Sequence, residues 1–131
     1  MENETLKVTG AFLNAVQTMN MEQLAALLLP EMKWSQPGSN AVSGRRQSAA
    51  EVFQMVGKMF ELSGDTLALA EIKVLAVNGN QAACHLRWTA SKASGETLNV
   101  DNIDVYTIEG GKITEAVVYT ADIGQENAFW R

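Results

Sequence analysis

Five residues carry most of the chemistry that this sequence could perform: His85, Arg87, Asn102, Asp104 and Tyr106. They fall in two runs rich in Val, Ile, Thr, Trp and Tyr, Gln81 to Ser91 and Thr97 to Ile108, where a carboxylate has to be paired or has to face a cavity. A His and an Asp brought together across such strands form an acid-base pair, the carboxylate orienting the imidazole and holding it near working pH. On that reading His85 and Asp104 are the catalytic residues. Arg87 polarises a substrate oxyanion, and Asn102 and Tyr106 donate hydrogen bonds to a developing enolate.

Placing these side chains depends on the turns. Ser94-Gly95 read as a two-residue loop sets Arg87 opposite Asn102 and His85 opposite Asp104, and Glu109-Gly110-Gly111 read as a three-residue loop sets Asp104 opposite Ala116. One face then collects His85, Arg87, Asn102, Asp104, Tyr106, Ala116 and Val118. The other collects Cys84, Leu86, Trp88, Asp101, Ile103, Val105, Val117 and Tyr119. So apolar a second face predicts a homodimer through the outside of the sheet, with the helices covering the first face.

The helices are written in the spacing. Leu6, Val8, Phe12, Leu13, Val16 and Met19 mark one amphipathic face over Glu4 to Met19. Asn20 caps a second short helix that Pro30 ends, and Ser48 with Glu51 starts a third that closes at Gly64. A brief strand, Met32 to Gln36, lies between them, followed by a polar loop, Ser39 to Gln47. Beyond Thr66 four long antiparallel strands follow, with a slip of alternation near Ala70 that implies a β-bulge and a curved sheet. The tail from Ile123 to Arg131 forms a short helix that Asp122 caps, seating Phe129 and Trp130 on the body.

Composition narrows the partners. At 131 residues and 47% hydrophobic content the chain supports one domain, residues 1–131, with a true core. A net charge of −5 with scattered Lys and Arg speaks against nucleic acid. His85 is the sole histidine and Cys84 the sole cysteine, so no metal site and no intrachain disulfide are expected. No apolar run reaches the roughly 20 residues that cross a bilayer, and no leader-like segment opens the chain, which gives a cytoplasmic expectation and no membrane partner.

In order and spacing, the opening helix, Met32-Lys33-Trp34-Ser35-Gln36-Pro37-Gly38, Asn102-Ile103-Asp104-Val105-Tyr106, Gly111-Lys112-Ile113-Thr114-Glu115 and Ala128-Phe129-Trp130 resemble the nuclear transport factor 2-like superfamily, in its SnoaL-like and ketosteroid isomerase-like branch. The resemblance covers essentially the whole chain. It implies an α+β fold of the cystatin-like kind, a cone-shaped α+β barrel with three N-terminal helices packed on a strongly curved, mostly antiparallel sheet. It also places Asp104 where ketosteroid isomerase keeps a carboxylic acid protonated in an apolar site. Gln36 stands before proline where that enzyme's proton-abstracting aspartate would be, and an amide is no base. This leaves isomerase, cyclase or hydratase chemistry of the SnoaL-like kind: cofactor-free proton transfer next to a carbonyl in a small apolar molecule. Trp34, Gln36, Phe53, Phe60 and Val118 would shape the container around Arg87, Asn102 and Tyr106. The alternative is a non-catalytic ligand-binding or dimerising accessory domain in which His85, Arg87 and Asp104 form a structural buried network.

Overall fold

A computed structural model describes residues 1–131. Helix α1 (Glu2–Thr18) ends where Met19 turns left-handed at φ 54°, and α2 (Met21–Leu27) begins at once, its first turn capped by the Asn20 side chain, which accepts from the Gln23 amide at 3.1 Å. The second helix stops earlier than Pro30 requires. Strand β1 (Leu28–Gln36) already includes Pro30, beside the point where its register against β6 is irregular. β2 (Gly44–Arg46), expected as loop, pairs antiparallel with β1, and α3 (Ala49–Ser63) follows with Ser48 accepting from the Glu51 amide. Then come β3 (Ala68–Asn78), β4 (Gln81–Ser91), β5 (Thr97–Glu109), β6 (Lys112–Thr120) and α4 (Ile123–Phe129), the last capped by Asp122.

The six strands run in the order β2-β1-β6-β5-β4-β3. All neighbours are antiparallel except β1 and β6, which are parallel; no sequence signal announced that pairing, since it joins segments some eighty residues apart. Four helices pack on this mixed, curved and unclosed sheet, an α+β architecture. The bend is built into β3, whose register against β4 shifts at Ala70 and again at Lys73.

Two hairpins decide which side chains point inward, and both differ from the sequence reading. Between β4 and β5 the Lys92 amide donates to the Glu96 carbonyl, and Ala93-Ser94-Gly95 form a three-residue loop with Gly95 at φ 96°. That one extra residue slips the pairing by one. Cys84 lies opposite Asp104 and His85 opposite Ile103, so the face carrying His85 and Arg87 is the outer one, and Cys84, Leu86 and Trp88 turn toward the helices. Between β5 and β6, Gly110 and Gly111 both take positive φ in a two-residue turn, and an irregularity beside Thr107 adds a residue on β6. The net slip is two, Asp104 pairs with Val118 rather than Ala116, and the inward parity of Asn102, Asp104, Tyr106, Ala116 and Val118 is unchanged.

Candidate functional site

Between α1, α3, α4 and the inward face of the sheet lies a cavity of about 110 Å³. Its walls are mostly Leu, Val, Met and aromatic side chains; the polar residues among them are Gln36, Asn102, Asp104 and Glu126. The volume is well below the roughly 300 Å³ and more that drug-sized ligands occupy. A lined apolar cavity of about 150 Å³ holds benzene, so the space suits a molecule of that order.

Asp104 is the chemical centre. It sits mid-strand on β5, 2% exposed, with Tyr106 two residues on and therefore on the same face. The Tyr106 hydroxyl donates to Asp104 Oδ2 at 2.6 Å, while Oδ1 is buried without any partner. Burial pushes the Asp104 carboxyl up to about 7; the Tyr106 hydrogen bond pulls it back in part, and the negative charge of Glu126 pushes it further up. The same burial and the adjoining carboxylate raise the Tyr106 phenol well above its ordinary value, and the Cys84 thiol, opposite Asp104, goes up to about 12. Tyr106 is therefore a fixed donor and Cys84 an inert thiol. A cavity that holds Asp104 at the edge of ionisation gives it access to both proton states at neutral pH.

Glu126 comes from α4 and is 3% exposed. Burial raises its carboxyl as well, but hydrogen bonds from Thr120 and Trp130 act against that. The Asn102 amide nitrogen, turned toward the acceptors around it, lies 3.2 Å from Glu126 Oε2 and 3.0 Å from the Asp101 carbonyl. Trp34 Nε1 donates to Gln36 Oε1 at 2.9 Å across one face of β1. The rings of Phe12, Trp34 and Tyr106 cluster with centroids 5.3 to 6.5 Å apart.

Of the residues expected from sequence, Trp34, Gln36, Phe53, Phe60, Asn102, Asp104, Tyr106 and Val118 line this one cavity. His85 and Arg87 do not. His85 Nε2 contacts Asp101 Oδ2 at 2.9 Å on the outer face, where Lys73 Nζ lies 3.0 Å from the same oxygen, and Arg87 Nε pairs with Glu71 at 3.4 Å. The catalytic pair of His85 with Asp104 and the buried His85-Arg87-Asp104 network are both corrected, for the single-residue slip described above puts His85 and Arg87 on the opposite face of the sheet from Asp104. Of the wall residues not expected from sequence, Trp88 and Glu126 bear most on the chemistry. Trp88 was assigned to a dimer face by the same slip and lines the cavity instead; Glu126 was passed over as part of a tail, although its spacing from Phe129 and Trp130 puts it on the apolar face of the last helix. No group of three or more His, Cys, Asp or Glu is gathered where it could hold a metal ion, and no helix is long and apolar enough to cross a membrane.

Comparison with known proteins gives this geometry a context. The SnoaL-like domain family matches residues 9–116. A protein of unknown function with a cystatin-like fold from Xanthomonas campestris is 34% identical and superposes with a TM-score of 0.90 over 96% of this chain and 97% of that one. At 12% identity, IdmH, a proposed polyketide cyclase from Streptomyces antibioticus, shares the fold with a TM-score of 0.76 over 93% of this chain and 95% of its own. An LEH-like epoxide hydrolase of M. tuberculosis does so at 15% identity, with a TM-score of 0.75 over 98% and 92%.

Proposed function

Because the chain belongs to the SnoaL-like domain family, we propose that its cavity binds a small, mostly apolar molecule and that Asp104 moves a proton to or from it. The observation that carries this reading is Asp104 Oδ1, a buried oxygen with no partner on the wall of a mostly apolar cavity. An orphaned carboxyl oxygen costs on the order of 1–3 kcal/mol, so it is retained where something else meets it. The neighbours with a shared fold include a proposed polyketide cyclase and an epoxide hydrolase, which supports small-molecule chemistry of the isomerase, cyclase or dehydratase type.

Proton transfer next to a carbonyl keeps Asp104 as its proton-moving group and Tyr106 as the donor that orients it. It loses Arg87 as an oxyanion partner, since that side chain stands outside. Deuterium uptake in heavy water tests the reading across many compounds at once. A panel of small cyclic ketones, enol ethers and alkenols is incubated with the protein, and label is read by mass. Uptake above the protein-free rate that Asp104→Asn removes and His85→Gln keeps supports it; equal uptake by the Asp104 variant would sink it.

A non-catalytic reading has one observation of its own. Val74, Ile103 and Tyr119 are 52%, 49% and 57% exposed on the outer face of the sheet. A homodimer through that face would cover them, although Leu86 and Trp88, which made it look far more apolar in sequence, are inside. Sedimentation velocity with Ile103→Asp tests it: a dimer that the substitution splits supports it, and a monomer at all concentrations removes it.

A further inference from the structure

Three donors in the cavity are already committed. Trp34 gives its N–H to Gln36, Tyr106 gives its O–H to Asp104, and Asn102 turns its nitrogen toward Glu126. One buried carboxyl oxygen on the cavity wall has no partner, Asp104 Oδ1. Two buried carboxyls share the cavity, and no Lys, Arg or His lines it. The nearby basic side chains on this sheet are engaged elsewhere, Lys73 and His85 with Asp101 and Arg87 with Glu71, all on the opposite face. Lys92 donates to the Phe129 carbonyl and lies over that ring. The rings of Phe12, Trp34 and Tyr106 cluster in the wall of the same cavity, and an aromatic face carries negative charge that attracts a cation within about 6 Å.

We infer that this site recognises positive charge: its ligand is a small hydrophobic amine, held as its ammonium form with Asp104 Oδ1 as the anchoring acceptor. The inference rests on the reading of the cavity as the ligand site with Asp104 exchanging a proton with the ligand; the proton exchanged is then the amine's, in place of one next to a carbonyl. A buried carboxylate without a counter-charge is strongly unfavourable; the protein supplies none here, so burial favours the protonated form of Asp104, and an ammonium ligand supplies the charge that lets it ionise. An aliphatic amine, with a pKa of about 10 as in lysine, is a stronger base than a carboxyl that titrates near 7. A neutral amine arriving at protonated Asp104 therefore takes its proton: the O–H bond breaks, the nitrogen lone pair forms the new N–H bond, and the ion pair is left in place. Carboxylates and phosphates meet two like charges and no cation, and are excluded.

A matched set of five-membered rings isolates the charge from the shape: cyclopentylamine, cyclopentanol, cyclopentanone and cyclopentanecarboxylate, titrated into the full chain by calorimetry. The expected result is that the amine binds at least ten-fold more tightly than the alcohol or the ketone and that the carboxylate does not bind. Asp104→Asn should bring the amine level with the alcohol, and Glu126→Gln should weaken the amine with less effect on the alcohol. If the alcohol or ketone binds as tightly as the amine, or the carboxylate binds, this inference is wrong while the cavity stands as a ligand site. If none of the four binds, the cavity reading fails and takes this inference with it. Crystals soaked in the amine locate it independently of either variant's stability, and a nitrogen away from Asp104 would overturn the assignment.

Discussion

Asp101 and Asp104 stand three residues apart on β5 and face opposite sides of one sheet. On the outer side, hydrogen bonds from His85 and Lys73 hold the Asp101 carboxyl below its ordinary value; on the inner side, burial drives Asp104 up to about 7. The chemistry of a carboxyl here is set by the face it occupies and hardly at all by its place in the sequence. Asp101 has Lys73, His85 and solvent for company, whereas Asp104 has a phenol, a second carboxyl and apolar walls. The outer cluster has its charges satisfied; the inner one leaves an oxygen open. An unsatisfied buried group beside a cavity marks function more strongly than a complete ion pair at the surface.

The contrast is sharpest in activity. Asp104→Asn should lower any proton transfer by roughly 10²–10⁴-fold, the usual share of a positioned acid or base, while His85→Gln leaves it within about two-fold. Initial rates of label uptake on the same compound decide it. A large loss with His85→Gln would reverse the roles of the two faces.

Stability separates the faces next. Leu86 is fully buried on the inner face, and Leu86→Ala should cost about 2–5 kcal/mol in urea unfolding, the range for emptying a packed core site. Ile103, half-exposed on the outer face, should cost under about 1 kcal/mol on the same change to alanine. Equal losses would mean that Ile103 is covered in solution, as it would be in a dimer.

The two carboxyls also impose pH dependences of opposite sign. Asp104 has a folded pKa above its unfolded one, so between about pH 4 and pH 7 the unfolded chain sheds a proton that the folded one keeps, and stability falls as pH rises through that window. Glu126 shifts the same way and adds to the fall. Asp101 has a lowered pKa, so its contribution is present above its unfolded value and is lost as pH drops through the folded one. Urea midpoints from about pH 4 to pH 8 should decline for the parent and decline less for Asp104→Asn. A variant with an unchanged slope would show that Asp104 is not the titrating group.

Much of this was legible in the sequence, and the failures share one cause. Local signals placed α1, α3, the four long strands and the Ala70 bulge, because periodicity, caps and Asn-Gly or Gly-Gly turns act over a few residues. Asp104, Tyr106 and Asn102 keep their common face because a slip of two preserves parity. His85 and Arg87 lose theirs because a slip of one reverses it, and nothing in Ser94-Gly95 distinguishes a two-residue from a three-residue loop. The parallel pairing of β1 with β6 and the seating of Glu126 from α4 depend on contacts distant in sequence, which no local pattern encodes.

The smallest expected effect is the finest test of the two-face picture. His85→Leu and Lys73→Ala each remove one donor from Asp101, whose side chain is about a third exposed, and exposed ion pairs contribute little to stability. Their urea midpoints should therefore stay within measurement error of the parent. The Asp101 carboxyl, followed by carbon-detected NMR titration, should nonetheless move up toward its ordinary value in both variants, more for His85→Leu because that hydrogen bond contributes most to the lowering. Asp104 in the same spectra should titrate unchanged, since the sheet separates it from both donors. A coupled shift of Asp104 would mean that charge on the outer face reaches the cavity, and the faces would then have to be treated as one electrostatic unit.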